Sequence, residues 1–421
     1  MPDNSRNYDI LIIGAGPAGL MAAIQSAGCG VSAAVLESGP AAGRKLLLTG
    51  GGRCNLTNNC SINDFIKAFG DKQRFVRYCL YEFTPQDLQN FFAERGLPAK
   101  IMDDGCVFPE TENSRDVLDV LLEEINKIDA HLVLNSSVQA IEKSADGFVI
   151  ASKKQQFFAK KVIIACGGLS YPQTGSTGDG YRFAQQLGHT IIGPKPVLVP
   201  LITEEKWPAS LAGTSISNVK ITATIENKKI SAGGSFLFTQ DGIGGPAVLD
   251  LSRLIIDNLV KNRKPITVWI DTVPDMNNTS LEKHYLNLCE NNPKKSLKNI
   301  IALIFSERFA SVFCQSFGFD GNATARQLEK KTRIKILALL KYLPLTITSA
   351  RPIEQATITR GGICTKQINP KTFESLVCPG LYFAGEVIDA DGPCGGFNLQ
   401  FAFSSGCLAG KRAAEMVAAK T

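Results

Sequence analysis

The stretch "YDILIIGAGPAGLMAAIQSAGCGVSAAVLE", residues 8–37, decides how the chain begins to fold. "YDILIIG" is an apolar run rich in β-branched residues and closed by glycine, the pattern of a strand buried on both faces of a parallel sheet. Gly14, Gly16 and Gly19 then spell G-x-G-x-x-G and, with Pro17 and Ala18, open an alanine-rich segment that reads as a helix. "VSAAVLE" returns as a second strand and stops at Glu37. Gly14 permits a tight turn, Gly16 lets the backbone meet a pyrophosphate, and Gly19 lets helix and strand pack closely. The helix N-terminus stabilises the phosphate charge. Glu37, 18 residues after Gly19, is placed to accept hydrogen bonds from ribose hydroxyls, and its charge repels a 2′-phosphate. Strand, motif, helix and acid together read as a dinucleotide-binding βαβ unit.

Just beyond lies "GPAAGRKLLLTGGGRCNLTN", residues 39–58, with three consecutive glycines behind Arg44 and Lys45 and ahead of Arg53, Cys54 and Asn55. Such a loop can wrap an extended cofactor from its pyrophosphate to its ring, laying bare backbone amides against it. That favours FAD over a hydride carrier that leaves at each turnover. Two later stretches repeat a strand followed by a glycine-rich turn and a helix. One is "KKVIIACGGLSYPQTGSTGDGYRFAQQLGH", the other "PGLYFAGEVIDADGPCGGFNLQFAFSSGCLAGKRAA". As in flavoproteins of the glutathione-reductase type, the acid of Gly385-Glu386 would lie on the ribityl chain. The helix beginning near Gly395–Asn398 would aim its positive end at the pyrimidine edge.

On "GRKLLLTGGGRCNLTN", "ACGGLSYPQTGSTGDGY" and "GGFNLQFAFSSG" the chain resembles a bacterial family of NAD(P)/FAD-dependent oxidoreductases. That family includes aminoacetone oxidases, bile-acid-type enone reductases and ribosomal RNA dihydrouridine synthases. The resemblance implies an α/β fold: a Rossmann-like FAD-binding domain of glutathione-reductase type, with inserted β-barrel-like and helical domains. The expected divisions are residues 1–193 and 361–421 for the FAD-binding domain, 194–273 and 345–360 for the barrel, and 274–344 for a small basic helical domain. Alternating strands in 197–203, 218–248 and 265–271 agree with a barrel. In 296–313, Leu297, Ile300, Ile301 and Ile304 stand at helical spacing.

The cofactor is expected to touch Gly14, Gly16, Pro17, Ala18, Gly19, Glu37, Gly43, Arg44, Lys45, Thr49, Gly51, Gly52 and Asn55. Later in the chain it meets Ala165, Gly167, Gly168, Gly385, Glu386, Gly395, Gly396, Phe397 and Asn398. With no second G-x-G-x-x-G, NAD(P)H is expected as a transient donor without a domain of its own. The expected reaction is reduction of an electron-poor C=C bond, with uridine in large-subunit ribosomal RNA as the first candidate acceptor. A small-molecule oxidase or enone reductase is the rival, and a non-enzymatic flavin scaffold the third reading. Cys54 and Cys394 are the proton-donor candidates and Arg53 the candidate for steadying an enolate-like oxygen or a phosphate.

Composition bounds the rest. The 421 residues exceed what one core usually holds, so more than one domain is expected. Twelve cysteines lie scattered without a C-x-x-C pair, which fits free thiols and a cytoplasmic setting. His131, His189 and His284 lie far apart, so neither a metal site nor a Ser/His triad is expected. The first apolar run is too short and glycine-rich to span a membrane. Formal net charge is +6, yet residues 291–341 alone hold ten basic against three acidic side chains. That segment is either a solvated helical surface or a platform for a polyanion such as RNA.

Overall fold

The computed structural model describes residues 6–128, 130–262 and 264–419. They form two compact units: the described residues through Lys195 with those from Thr357 onward, and Pro196–Ala356.

The first unit is built on β1 (Arg6–Ile13), α1 (Pro17–Ala27) and β2 (Ala33–Leu36). Its seven-stranded sheet runs His131–Val133, β2, β1, Gln156–Ile164, Phe148–Ser152, Val138–Lys143, and Leu381–Phe383 joins the same Gln156–Ile164 strand. That strand is shared along its length: residues 156–159 pair antiparallel with Phe148–Ser152, while 162–164 pair parallel with Leu381–Phe383. Ile10, Leu11, Ile12, Val162, Ile163 and Ile164 are wholly buried, as an apolar run covered on both faces must be.

The two ends of the chain are joined by small residues. The C-terminal helix Phe397–Ala418 lies backbone to backbone against α1. A Cβ on Gly406 would stand 2.2 Å from the Ala18 carbonyl oxygen, and one on Gly410 2.3 Å from that of Ala22. Gly406 and Gly410, four apart, thus face Ala18 and Ala22, also four apart, and Ser26 Oγ donates to the Gly410 carbonyl at 3.1 Å.

The second unit is a closed six-stranded barrel, in the order Leu201–Thr203, Gly242–Gly244, Lys228–Thr239, Ser215–Ile225, Ile266–Asp271, Leu343–Ala350. Helix Pro246–Asn262 and the helices between 278 and 341 share one hydrophobic cluster with these strands. A separate helical domain at 274–344 therefore stays a proposal. Residues 357–360, assigned to the barrel from sequence, pack with the first unit. The apolar run at 296–313 divides into Leu297–Ile301 and Glu307–Ser316, because Ser306 caps a new helix by accepting from Phe309 N at 3.2 Å.

His189 is a buried pin between a helix exit and a distant loop. Its Nδ1 lies 3.1 Å from Ala184 O and its Nε2 2.7 Å from Ser375 Oγ. Ser375 Oγ already accepts from the Val377 and Cys378 amides, so its hydroxyl proton goes to an unprotonated Nε2. Burial lowers the pKa of His189, and the Ala184 hydrogen bond opposes that in part. The unfolded chain therefore takes up this proton first. His189 favours the folded state above about pH 6.5, and that contribution is lost as pH falls toward the lower folded value. In urea titrations, His189→Gln should flatten stability against pH between about 6.5 and 5. Gly406→Val or Gly410→Val should cost about 3 kcal/mol or more, or prevent folding. Gly193→Ala, whose Cβ meets nothing within 4 Å, should change the same unfolding curve little.

Candidate active site

The three fingerprint glycines meet three different demands. Gly14 has φ +105°, and a Cβ there would approach Ala165 O to 2.6 Å, so the turn presses against the end of the Gln156–Ile164 strand. On Gly19 a Cβ would reach Gly14 O at 1.9 Å, which forbids any side chain at the helix–strand contact. Gly16 is different: its φ is −82°, and a Cβ would meet nothing within 4 Å. It faces open space at the start of α1, where Pro17 follows and no side chain caps the first amides. Bare backbone at an uncapped helix start is suited to an anion.

Glu37 has a second duty that the sequence reading missed. Its Oε2 accepts from Ala15 N at 3.0 Å and its Oε1 from Gly39 N at 2.8 Å. The acid braces the glycine loop from the end of β2.

The triple-glycine loop is held in left-handed conformations, with φ of 58°, 69° and 89° at Gly50, Gly51 and Gly52. A Cβ on Gly51 would meet nothing within 4 Å, whereas Gly50 is pressed by Phe108 and the Asn55 backbone. Gly43, at φ 66°, is closed in by Leu118, and Thr49 Oγ1 donates to Leu46 O at 2.6 Å. Asn55, with its amide turned to suit its neighbours, donates to Val107 O and Thr57 O. Arg44 donates to Gln173 O. Arg53 is exposed, stands over the Phe108 ring at 4.5 Å, and lies 3.6 Å from Glu112.

Cys54 is wholly buried at φ 64°, an uncommon backbone conformation for a side-chain-bearing residue. Burial pushes its thiol up to about 12 against a weaker opposing hydrogen bond with Thr49, so it is a poor acid at neutral pH. Cys394 is half-buried in the turn ahead of the C-terminal helix.

Lys45 and Glu386, 341 residues apart, meet at 2.5 Å. Ser170 Oγ receives from Lys45 Nζ at 2.6 Å and donates to Glu386 Oε1 at 3.0 Å, while Thr359 N donates to the same oxygen at 2.9 Å. Thr359 Oγ1 accepts from the Leu169 and Ser170 amides, and a Cβ on Gly168 would strike it at 2.5 Å. The sequence reading named Lys45, Gly168 and Glu386 but missed Ser170 and Thr359. The one signal at hand was their proximity to glycine pairs, Gly167-Gly168 and Gly361-Gly362.

The last turn is fixed from both sides. Asn398 accepts from Gly392 N at 2.8 Å and donates to Gly392 O and Pro393 O, while Phe397 packs on Phe65 at 4.4 Å between ring centroids. Gly395 and Gly396 have φ of 105° and 91°, and a Cβ on Gly396 would collide with Thr57 O at 2.3 Å. Two nearly buried carboxylates flank this turn: Asp389 meets Lys72 at 2.6 Å and Asp391 meets Arg360 at 2.8 Å. Burial works against the charge of Lys72, yet the Asp389 hydrogen bond, with the charges of Asp389 and Asp71, holds its pKa above the usual value.

The basic segment is partly consumed by the fold. Arg308 donates to Ser210 O and Ala212 O, Arg333 pairs with Glu282, and buried Lys341 pairs with Asp271 at 2.5 Å. Lys294, Arg326, Lys330, Lys331 and Lys335 remain exposed and in no ion pair among the described residues. No cluster of three or more His, Cys, Asp and Glu side chains suited to a metal ion occurs among the described residues. Nor is any of their helices long and apolar enough to cross a membrane.

The site fits FAD on three observations: open space over Gly16 and Gly51, uncapped first turns in both α1 and the C-terminal helix, and a buried Thr57 hydroxyl without a partner. Gly16→Val keeps an ordinary φ of −82°, and its Cβ meets nothing within 4 Å. It should melt like the flavin-free wild type yet take up no yellow chromophore, read from visible absorbance after dialysis with FAD.

The description "HI0933-like protein Rossmann domain" matches residues 8–412. The chain is 33% identical over 407 residues to a 3-dehydro-bile acid delta(4,6)-reductase of Clostridium scindens, covering 96% of this chain and 98% of that one. It is 32% identical over 408 residues to a ribosomal RNA dihydrouridine synthase of Haemophilus influenzae, covering 95% and 97%. Among solved structures, a 3-ketosteroid delta1-dehydrogenase of Sterolibacterium denitrificans aligns at TM-score 0.54 and 14% identity, over 99% of this chain and all of the other, a likeness of fold. Fingerprint, glycine cradle and full-length relatives agree: the chain belongs to the HI0933-like family of Rossmann-fold, FAD-dependent oxidoreductases.

Proposed function

We propose that the protein is an NAD(P)H-driven C=C reductase whose acceptor is uridine in large-subunit ribosomal RNA, giving dihydrouridine. The observation that carries this reading is the group of exposed, unpaired cations left at Lys294, Arg326, Lys330, Lys331 and Lys335 after the fold has used the others. Phosphates are the partners such charges recruit, through backbone and shape before sequence. The relative named a ribosomal RNA dihydrouridine synthase supports the same acceptor, and a cytoplasmic location suits it.

When bound, the flavin supplies hydride transfer between nicotinamide and acceptor. Gly16 and the α1 amides would hold the diphosphate, with Glu37 fixing the loop and available to the ribose. Glu386, oriented by Lys45, Ser170 and Thr359, would receive the ribityl hydroxyls. The uncapped start of the C-terminal helix, whose first turn contains no acid, would stabilise negative charge developing on the ring. Cys394 is the better-placed proton donor of the two thiols, because Cys54 is sealed away and its thiol sits near 12. Arg53, exposed beside the glycine loop, steadies the acceptor's oxygen or a phosphate.

A small-molecule enone reductase is the second reading, favoured by the bile-acid reductase relative and by the cations the fold consumes. Deleting the gene and measuring dihydrouridine in large-subunit RNA decides between them. The nucleoside should disappear and return with the wild-type gene but not with Lys330→Glu/Lys331→Glu; an unchanged level supports the small-molecule reading. Rapid mixing of the NADH- or NADPH-reduced protein with dioxygen should show slow reoxidation, and fast reoxidation would instead indicate an oxidase. At neutral pH, Cys394→Ser should lower turnover at least tenfold with flavin content unchanged, whereas Cys54→Ser should act on stability.

A further inference from the structure

The helix Gln73–Glu82 presents an outer face unlike an ordinary solvated one. Its inner side buries Phe75, Val76, Cys79 and Leu80. Arg74, Arg77, Tyr78 and Tyr81 stand at i, i+3, i+4 and i+7 on the opposite side. All four are exposed, the tyrosines by 44% and 45% of their surface. The Arg77 guanidinium lies 5.5 Å from the Tyr81 ring centroid, and Tyr81 OH donates to Asn63 Oδ1 at 3.2 Å. Phe373 packs on Phe75 at 5.1 Å and so anchors the neighbouring loop, from which Lys371 Nζ reaches to 5.6 Å from the Tyr78 ring.

The acids at the helix ends are directed elsewhere. Glu82 pairs with Lys411 and Arg412, and Asp71 pairs with Lys72. Arg74, Arg77 and Lys371 are in no ion pair among the described residues. The helix is also tied to the active site: Lys72, its N-cap, grips Asp389, three residues beyond Glu386.

We propose that this face, with Tyr78 and Tyr81 as stacking platforms and Arg74, Arg77 and Lys371 as phosphate contacts, binds single-stranded RNA on a helix whose N-cap, Lys72, is tied to Asp389 of the candidate site. The inference rests on the RNA reading above and gives it a docking surface on the FAD-binding unit, separate from the basic helices. Charge complementarity selects a polyanion, and rigid exposed rings beside guanidinium groups select one with unstacked bases. A folded RNA must offer its target base unpaired, so a grip on single-stranded RNA suits the chemistry.

The test is fluorescence anisotropy of a labelled, uridine-rich single-stranded RNA 12-mer titrated with flavin-loaded protein. Tyr78→Ala/Tyr81→Ala should weaken binding at least tenfold with visible spectrum and melting temperature unchanged. Arg74→Glu/Arg77→Glu should weaken it and reduce the slope of log affinity against log salt by about 1.4, roughly 0.7 per lost phosphate contact. Wild-type-like affinity in the tyrosine variant, or no binding by the wild type, overturns the proposal. So does polyglutamate that competes equally well while the tyrosine variant is unaffected, which would mark a face for an acidic protein. Failure of the substrate reading is seen separately, as unchanged dihydrouridine in the deletion strain.

Discussion

The structure depends on one contact: the bare backbone of the C-terminal helix at Gly406 and Gly410 lying on the bare backbone of α1 at Ala18 and Ala22. That approach places a helix from the end of the chain against the helix that carries the dinucleotide fingerprint. Any side chain at the two glycines would push the helices apart and carry the Gly385–Asn398 turn with them. The strand Gln156–Ile164 completes the arrangement by pairing with β1 on one side and Leu381–Phe383 on the other. Three glycine-rich turns, at residues 14–19, 165–168 and 385–396, therefore open at one edge of one sheet.

At that edge, groups from three parts of the chain converge on the carboxylate of a fourth, Glu386. Lys45, Ser170 and the Thr359 amide fix Glu386, and Glu37 likewise holds the fingerprint loop through two amides. Pre-fixed acceptors lose little freedom when they receive a hydroxyl, so the site's polar groups act as a rigid template.

Cations are divided between scaffold and surface by what surrounds them. Lys72, Arg360 and Lys341 are drawn inward by Asp389, Asp391 and Asp271, and Arg308 by two carbonyls. Where no carboxylate is at hand, as at Arg74, Arg77, Lys330 and Lys331, the charge stays in solvent and available. A net charge summed over sequence cannot make this distinction, because pairing is decided by residues far away in the chain.

The sequence by itself determined the βαβ unit, the glycine cradle and the family. Those rest on local demands: Gly14 and Gly19 admit no side chain, and apolar runs such as 10–13 and 162–164 tolerate only a buried strand. Position and use were decided by tertiary structure. Cys54 reads as a reactive thiol beside an arginine until burial raises it to about 12, the buried His189 pin to Ser375 is invisible in the sequence, and three of the ten basic residues at 291–341 read as surface charge until carbonyls and carboxylates claim them. Ser170 and Thr359 had no motif to announce them. Proton affinity, ion pairing and hydrogen-bond orientation are set by burial and by neighbours that the fold brings together, often from far along the chain, and local patterning carries no record of them.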